Sequence, residues 1–307
     1  MKVSVIGVGN LGSCIAYELA VRGILDELVL VDVALDVVVG HRYDILQAVA
    51  IRGKPRIRVG DYSDVDGSDV VVVAAGKPRT KDTVSRMQLA EDNARIIAGV
   101  ARKLLESKVE STFITLTNPV DVMNYILYRM LGLPRYRFIG CGCQLDSARF
   151  RLILSEEFSL PLNEIEGYVI GEHGEHQIPL FSRVKIGGKP FEVPVEYRSR
   201  IESRLLNFAL EIIGRKGATV YGPTHHTVEL VESVLFDQKK LFCCSAIIDV
   251  DGLGDISIGV PVIVGRGGVD EVLRWDLAEE ERDAFVEAAR ALHGYEHKIL
   301  EAVAEEH

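Results

Sequence analysis

This 307-residue chain predicts a doubly wound, parallel α/β sheet followed by an α+β second half. Three observations carry that prediction. Through about Gly140 short apolar runs alternate with helical patterns. Those runs are apolar at consecutive positions, as strands covered by helices on both faces are. After about Gly142 the alternation stops, and a helix, a hairpin, two helical patterns, two long strands and a closing helix follow.

In chain order, Lys2 to Gly7, Leu28 to Asp32, Ile57 to Gly60, Val70 to Ala74, Thr112 to Leu116 and Arg137 to Gly140 read as strands. Leu11, Ile15 and Leu19 recur every four residues before Gly23, which predicts an amphipathic helix with a glycine stop. Leu89, Ile96, Ile97, Val100 and Leu104 form a comparable stripe on a longer helix. In the second half the pattern predicts a helix from Gln144 to Phe158, a strand from Glu166 to Ile170, and a hairpin from Val184 to Val193 turning at Gly187-Gly188. Helices from Ser199 to Arg215 and Thr224 to Leu235, strands from Leu241 to Asp249 and Ile256 to Val264, and a helix from Glu279 to Ala304 complete it. The expected division is 1–141 and 142–307, packed as one unit with a site in the crevice between them.

Composition narrows the function. The formal charge is -10 with no basic block, which argues against nucleic acid as a partner and for a small ligand. There is no run of eighteen apolar residues, and the apolar start meets Gly7 and Gly9 too early for a signal-peptide core, so no membrane partner and a cytoplasmic location are expected. The five cysteines are odd in number and contain no Cys-x-x-Cys pair, which fits a reducing compartment and no structural zinc. Cys243 and Cys244, inside an apolar run, are expected to be buried packing residues.

Gly7-Val8-Gly9-Asn10-Leu11-Gly12 follows a strand and opens a helix, the context in which this pattern binds a dinucleotide. Gly7 allows the tight turn, Gly9 lets the backbone approach a pyrophosphate at a helix N-terminus, and Gly12 lets helix and strand pack closely. Asp32 lies twenty positions after Gly12 at a strand end, where a carboxylate can accept from both ribose hydroxyls and repel a 2′-phosphate. Asp32 could also cap the segment that follows it. The first half therefore reads as a Rossmann domain binding NAD rather than NADP.

The second half carries Leu145-Asp146-Ser147-Ala148-Arg149 and then Gly171-Glu172-His173-Gly174-Glu175. Taken singly, a histidine is most often a surface or core residue, and an Asp and Arg three apart on a helix are most often an ion pair. With Ser85-Arg86, Thr117-Asn118-Pro119-Val120-Asp121 and Lys216-Gly217-Ala218-Thr219 in this order, the sequence resembles the lactate/malate dehydrogenase family, and in particular its lactate-dehydrogenase-like malate dehydrogenases, over nearly its whole length. The resemblance implies that His173 is the proton donor and acceptor and that Asp146 holds its tautomer. It implies that Arg149 grips the substrate carboxylate, Arg86 polarises the reacting carbonyl, Asn118 bonds near nicotinamide and substrate, and Thr219 lines the pocket. Ala75, Gly76, Asn93 and Asn118 join Gly7, Gly9, Asn10, Leu11, Gly12 and Asp32 as implied NAD contacts. A homo-oligomer, tetramer before dimer, is implied as well. Histidine groups such as His225-His226 and the His293, His297 pair lack a carboxylate-cysteine constellation, and no metal is expected.

The sequence departs from the family pattern in three places. The lid segment from Ala75 to Arg86 has Arg79 seven residues before Arg86 where six is usual, so either Arg79 or Lys81 is placed to meet a second substrate carboxylate, or neither is. Glu175 replaces an aspartate beside the histidine. Gly140-Cys141-Gly142-Cys143 replaces a stretch that usually carries threonines. Glu166 stands where sugar-phosphate-activated relatives carry a histidine, so no such activation is expected. The leading expectation is an NAD-dependent malate dehydrogenase acting on (S)-malate and oxaloacetate, with some action on pyruvate; an L-lactate or dual-specificity 2-hydroxyacid dehydrogenase is the alternative. A non-catalytic NAD sensor would have lost His173 or Arg149, and an NAD- and metal-dependent glycoside hydrolase would need a metal-ligating Cys/His pair.

Overall fold

The computed structural model describes residues 1–53, 55–78, 86–107 and 109–304, the side chains of residues 86 and 304 excepted. The first half runs β1 (Lys2–Ile6), α1 (Asn10–Arg22), β2 (Glu27–Val31), α2 (Leu35–Val49), β3 (Arg56–Val59), β4 (Val70–Val73), α3 (Arg86–Leu105), β5 (Thr112–Thr115), α4 (Val120–Leu131) and β6 (Phe138–Gly140). These strands pair in parallel in the order β3-β2-β1-β4-β5-β6. The order reverses between β1 and β4, and a crevice for a ligand opens outside the carboxyl ends of strands at such a point.

The consecutive apolar runs have the predicted cause. Val70, Val71, Val72 and Val73 of β4 are all fully buried, and each such side chain contributes about 1.5–3 kcal/mol by leaving water. The α1 stripe ends as read: Gly23 takes φ 65 and its N–H bonds the Ala20 carbonyl. Neither α2 nor α4 follows from the sequence pattern. In α4 every residue from Val120 to Leu127 is buried, so no polar face interrupts the apolar one and the 3.6-residue period is invisible.

The second half runs α5 (Cys143–Phe158), β7 (Ile165–Glu166), β8 (Val169–Gly171), β9 (Gln177–Pro179), β10 (Lys185–Ile186), β11 (Lys189–Pro190), α6 (Val195–Lys216), α7 (Tyr221–Phe236), β12 (Lys240–Asp249), β13 (Asp255–Gly265), β14 (Gly268–Val272) and α8 (Glu279–Ala304). Its long strands extend the first sheet. β12 pairs antiparallel with β6 through Ser245 and Ala246 opposite Gly140 and Ile139, and β13, β8 and β9 follow. The two halves thus share one sheet, and α8 packs against both α3 and α4.

The expected single strand from Glu166 to Ile170 is two. β7 belongs to a small sheet with β10 and β11, and β8 to the large one. The chain changes sheet at Gly167, where a Cβ would lie 3.1 Å from the Phe150 ring. The hairpin turns where read, with Gly187 and Gly188 at φ 56 and 76. Cys141, Cys143, Cys243 and Cys244 are buried, and burial pushes their thiols up, to about 11 for Cys141 and about 12 for Cys243. They pack rather than react.

Candidate active site

The three glycines after β1 are distinguishable in space. Gly7 has φ 90, and a Cβ there would run into the Ala75 backbone at the end of β4. A Cβ on Gly12 would run into the Gly7 carbonyl, so Gly12 seats α1 on the strand. Gly9 faces open space, with none of the described residues within 4 Å of an added Cβ. That is the cradle a pyrophosphate needs at the start of α1, where backbone N–H groups and the helix dipole favour an anion. Asn10 and Leu11 form the first turn of α1.

Asp32 follows β2 and is partly exposed; one oxygen accepts the Val8 N–H at 2.6 Å and the other the Ala34 N–H at 2.9 Å. It therefore ties the glycine turn to the β2 end, and each oxygen keeps a second lone pair for a ribose hydroxyl. These residues fit NAD. At the ends of β4 and β5, Thr117 donates to the Ala75 carbonyl at 2.8 Å, and a Cβ on Gly76 would collide with the Thr117 methyl group. Asn93 is fully buried on α3; its Oδ1 accepts the Lys77 N–H at 2.7 Å, while its Nδ2 donates to the carbonyls of Asn118 (2.7 Å) and Lys77 (3.1 Å). Its amide thus laces two loops together, and Asn118 is left exposed, joined to Pro119 by a cis peptide bond.

The chemical end lies where α5 meets the β8–β9 loop. His173 Nδ1 lies 2.6 Å from Asp146 Oδ2, and Arg149 Nη1 donates to the other Asp146 oxygen at 3.0 Å. Asp146 and Arg149 are buried, the guanidinium Nε has no partner among the described residues, and the His173 side chain is 17% exposed. The i, i+3 spacing on α5 does place the carboxylate and the cation on one face. Burial pulls the His173 pKa down, but the charge and hydrogen bond of Asp146 outweigh it, and the net result is raised although Arg149 opposes it. Among the described residues no hydrogen bond engages His173 Nε2.

The loop that presents His173 is built by its neighbours. Gly171 takes φ 89, where a Cβ would lie 2.5 Å from the His176 carbonyl, and His176 Nδ1 meets Glu172 at 2.6 Å across the loop. Glu175 is exposed. Gly142 explains part of the unusual Gly-Cys-Gly-Cys run, since a Cβ there would lie 2.6 Å from the His173 Cβ. Thr219 lies just before α7, its hydroxyl buried and unpartnered among the described residues; Gly222 in the same stretch approaches Leu145 of α5 so closely that a Cβ would sit 2.9 Å from it. Arg79 and Lys81 lie outside the described residues, as does the Arg86 side chain at the start of α3.

A dinucleotide cradle on the same sheet as a buried carboxylate-imidazole pair defines a nicotinamide-dependent oxidoreductase. Residues 1–140 match the lactate/malate dehydrogenase NAD binding domain, and residues 143–303 match the lactate/malate dehydrogenase alpha/beta C-terminal domain. The malate dehydrogenase of Haloarcula marismortui is 39% identical over 302 residues, 97% of this chain and 99% of that one. The L-lactate dehydrogenase of Thermus aquaticus is 36% identical over 304 residues, 96% and 98% of the two chains. The fold matches the apo malate dehydrogenase of Picrophilus torridus with a TM-score of 0.92 at 29% identity, covering 100% of this chain and 99% of that one. It matches a Cryptosporidium parvum lactate dehydrogenase, solved with lactic acid and nicotinamide adenine dinucleotide, with a TM-score of 0.90 at 30% identity over 98% of each. The chain belongs to the lactate/malate dehydrogenase family. It is an NAD-dependent 2-hydroxyacid dehydrogenase.

Proposed function

We propose that this enzyme is a malate dehydrogenase interconverting (S)-malate and oxaloacetate, with a side activity on pyruvate. The observation that carries the chemistry is the Asp146-His173-Arg149 set: a histidine bonded through Nδ1 to a buried carboxylate, beside a buried cation with a donor unpartnered among the described residues. Bound NADH supplies the hydride in reduction, and NAD accepts it in oxidation. With Nδ1–H donated to Asp146, His173 moves the proton at Nε2, giving it to the keto oxygen in reduction and taking it from the hydroxyl in oxidation. Arg149 holds the C1 carboxylate, because an orphaned buried N–H is costly until an acceptor arrives. Arg86 polarises the carbonyl, Asn118 orients it from the β5 end, and Thr219 closes the pocket wall. Residues 1–141 form the nucleotide half and 142–307 the substrate half.

Malate is favoured over lactate by the lid composition. A second carboxylate entering a dry pocket needs a cation, and Arg79 and Lys81 both lie on the lid segment, with no glutamine between Gly76 and Arg86. The 39% identical relatives named malate dehydrogenase support the same reading. The lactate alternative draws on the Thermus aquaticus relative. Comparing kcat/KM for oxaloacetate and pyruvate in the wild type, Arg79→Gln and Lys81→Gln decides between them. We expect oxaloacetate to lead in the wild type and Arg79→Gln to narrow the gap most; a wild type preferring pyruvate overturns the malate assignment.

We place the enzyme in the cytoplasm, in the tricarboxylic acid cycle, and as a homotetramer. Leu35, Val37, Val39 and Tyr43 on α2 and Tyr17 on α1 are exposed apolar side chains of the kind subunit contacts cover. Light scattering at micromolar concentration reads the assembly directly.

A further inference from the structure

One buried carboxylate beside His173 has no part in the chemistry above. Asp121, in the first turn of α4, is 1% exposed. Its Oδ2 accepts the backbone N–H of His173 at 2.8 Å, and its Oδ1 accepts the Ser245 hydroxyl of β12 at 2.5 Å. Room for that hydroxyl comes from Gly140, where a Cβ would lie 2.8 Å from both the Cβ and the Oγ of Ser245. The two glycines of the unusual Gly140-Cys141-Gly142-Cys143 run thus serve one assembly: Gly140 admits the partner of Asp121, and Gly142 admits His173.

Burying a carboxylate is expensive, and here two fixed donors and a helix N-terminus offset only part of the cost. Desolvation pushes Asp121 up to about 7, against the downward pull of the Ser245 and His173 hydrogen bonds. The titratable groups facing it are His173 and Glu172 from the loop after β8 and Glu296 from α8, with the neutral Ser245 on β12. Glu296 is itself fully buried, accepts the Ser257 N–H, and is held well above the usual carboxylate range by desolvation. A carboxylate in such a place is retained for what it holds.

Resting on the dehydrogenase reading of His173, we infer that Asp121 is a positioning residue that fixes His173 by its backbone while Asp146 fixes it by its ring. A hydrogen bond at Nδ1 alone leaves the imidazole free to pivot with its own peptide unit. Anchoring the N–H to a second buried carboxylate removes that freedom and adds negative charge beside the imidazolium, which favours the proton-donating form.

The test uses the full-length enzyme with NADH and oxaloacetate. Asp121→Asn keeps the shape but removes the charge and sets an amide donor against one of two donors. The expected results are unchanged NADH affinity by fluorescence, a fall in kcat on the order of tenfold, and a lower pH midpoint for kcat/KM in reduction. Ser245→Ala, which leaves the carboxylate and its bond to His173, is expected to show a smaller loss. A folded Asp121→Asn with wild-type kcat and midpoint overturns the inference. Should that variant fail to fold, the wild type still decides: in histidine-labelled protein the His173 amide proton should resonate downfield and exchange slowly, and an ordinary shift with fast exchange overturns the inference. His173→Asn separates the two readings. If it retains turnover, the role of His173 fails; if it is inactive while Asp121→Asn is normal, only the role of Asp121 fails.

Discussion

The nucleotide end and the chemical end of this site are built in opposite ways. At the nucleotide end the partners are backbone groups at strand ends, and the open space above Gly9 is as important as any contact. At the chemical end two carboxylates are taken out of water and each is met by two partners: Asp146 by the His173 ring and Arg149, Asp121 by the Ser245 hydroxyl and the His173 backbone N–H. Low dielectric strengthens each of those contacts and makes any unmatched member costly. Perturbation of the first end should therefore change affinity, and perturbation of the second should change rate.

The strongest break in that contrast is His173→Asn. Losing the proton donor should lower turnover by roughly three to four orders of magnitude while NADH binds as before, since general acid–base groups contribute about that much at most. Near-normal kcat would falsify the assignment of His173.

The pH response is the next largest effect. Because the His173 pKa is raised, with Asp146 outweighing desolvation, the imidazolium persists above its ordinary range. Oxaloacetate reduction, which uses the protonated ring, should hold through neutral pH and decline as pH rises through the raised pKa; malate oxidation should rise across the same window. The same shift contributes folding stability that is fully present below the unfolded pKa and is lost as pH rises through the folded one. Profiles of kcat/KM in both directions should cross in this way, and parallel profiles would assign the limiting ionisation to another group.

Two glycine substitutions sharpen the comparison at smaller amplitude. Gly9→Ala meets none of the described residues and should leave the melting temperature unchanged, yet it fills the cradle and should weaken NADH about tenfold. Gly142→Ala drives a methyl group into His173 and should do the reverse, lowering kcat about tenfold with NADH affinity intact. Measuring Kd and kcat for both variants tests the split, and identical profiles would abolish it. The smallest effect is expected from Asp32→Ala, which removes the charge facing a 2′-phosphate and should raise NADPH use relative to NADH by a few fold, with some loss of NADH affinity through the freed Val8 and Ala34 amides. A wild type already favouring NADPH would mean that Asp32 is misread.

How much of this was readable in the chain depended on sequence distance. The six parallel strands lie within a residue or so of their predicted bounds; the central β4 shows the reason, since a strand buried on both faces has an unbroken apolar run, whereas the edge strand β3 alternates Arg56, Ile57, Arg58 and Val59 and is only partly buried. The Gly7 to Gly12 turn is local, so each glycine's task followed from its position. Asp146 and Arg149 could be placed on one helical face by their spacing, and His173 joined them by resemblance. The role of Asn93 as a lace between Lys77 and Asn118, and the grip of Asp121 on His173, could not be read. Their bonds span 16, 25 and 52 residues, and α4, which carries Asp121, has no polar face to give it a period.

The sequence by itself determined the six parallel strands, the dinucleotide turn and the shared helical face of Asp146 and Arg149, because local sterics, burial periodicity and helix geometry act over a few residues, while His173 joined that pair by resemblance. Tertiary structure alone decided that β12 joins β6 and makes one sheet of two halves, that Gly140 and Gly142 are small to admit Ser245 and His173, and that two buried aspartates hold one histidine. Those outcomes depend on which distant groups share a water-free space, and the energy of a buried charge is set by its neighbours in space, wherever they lie along the chain.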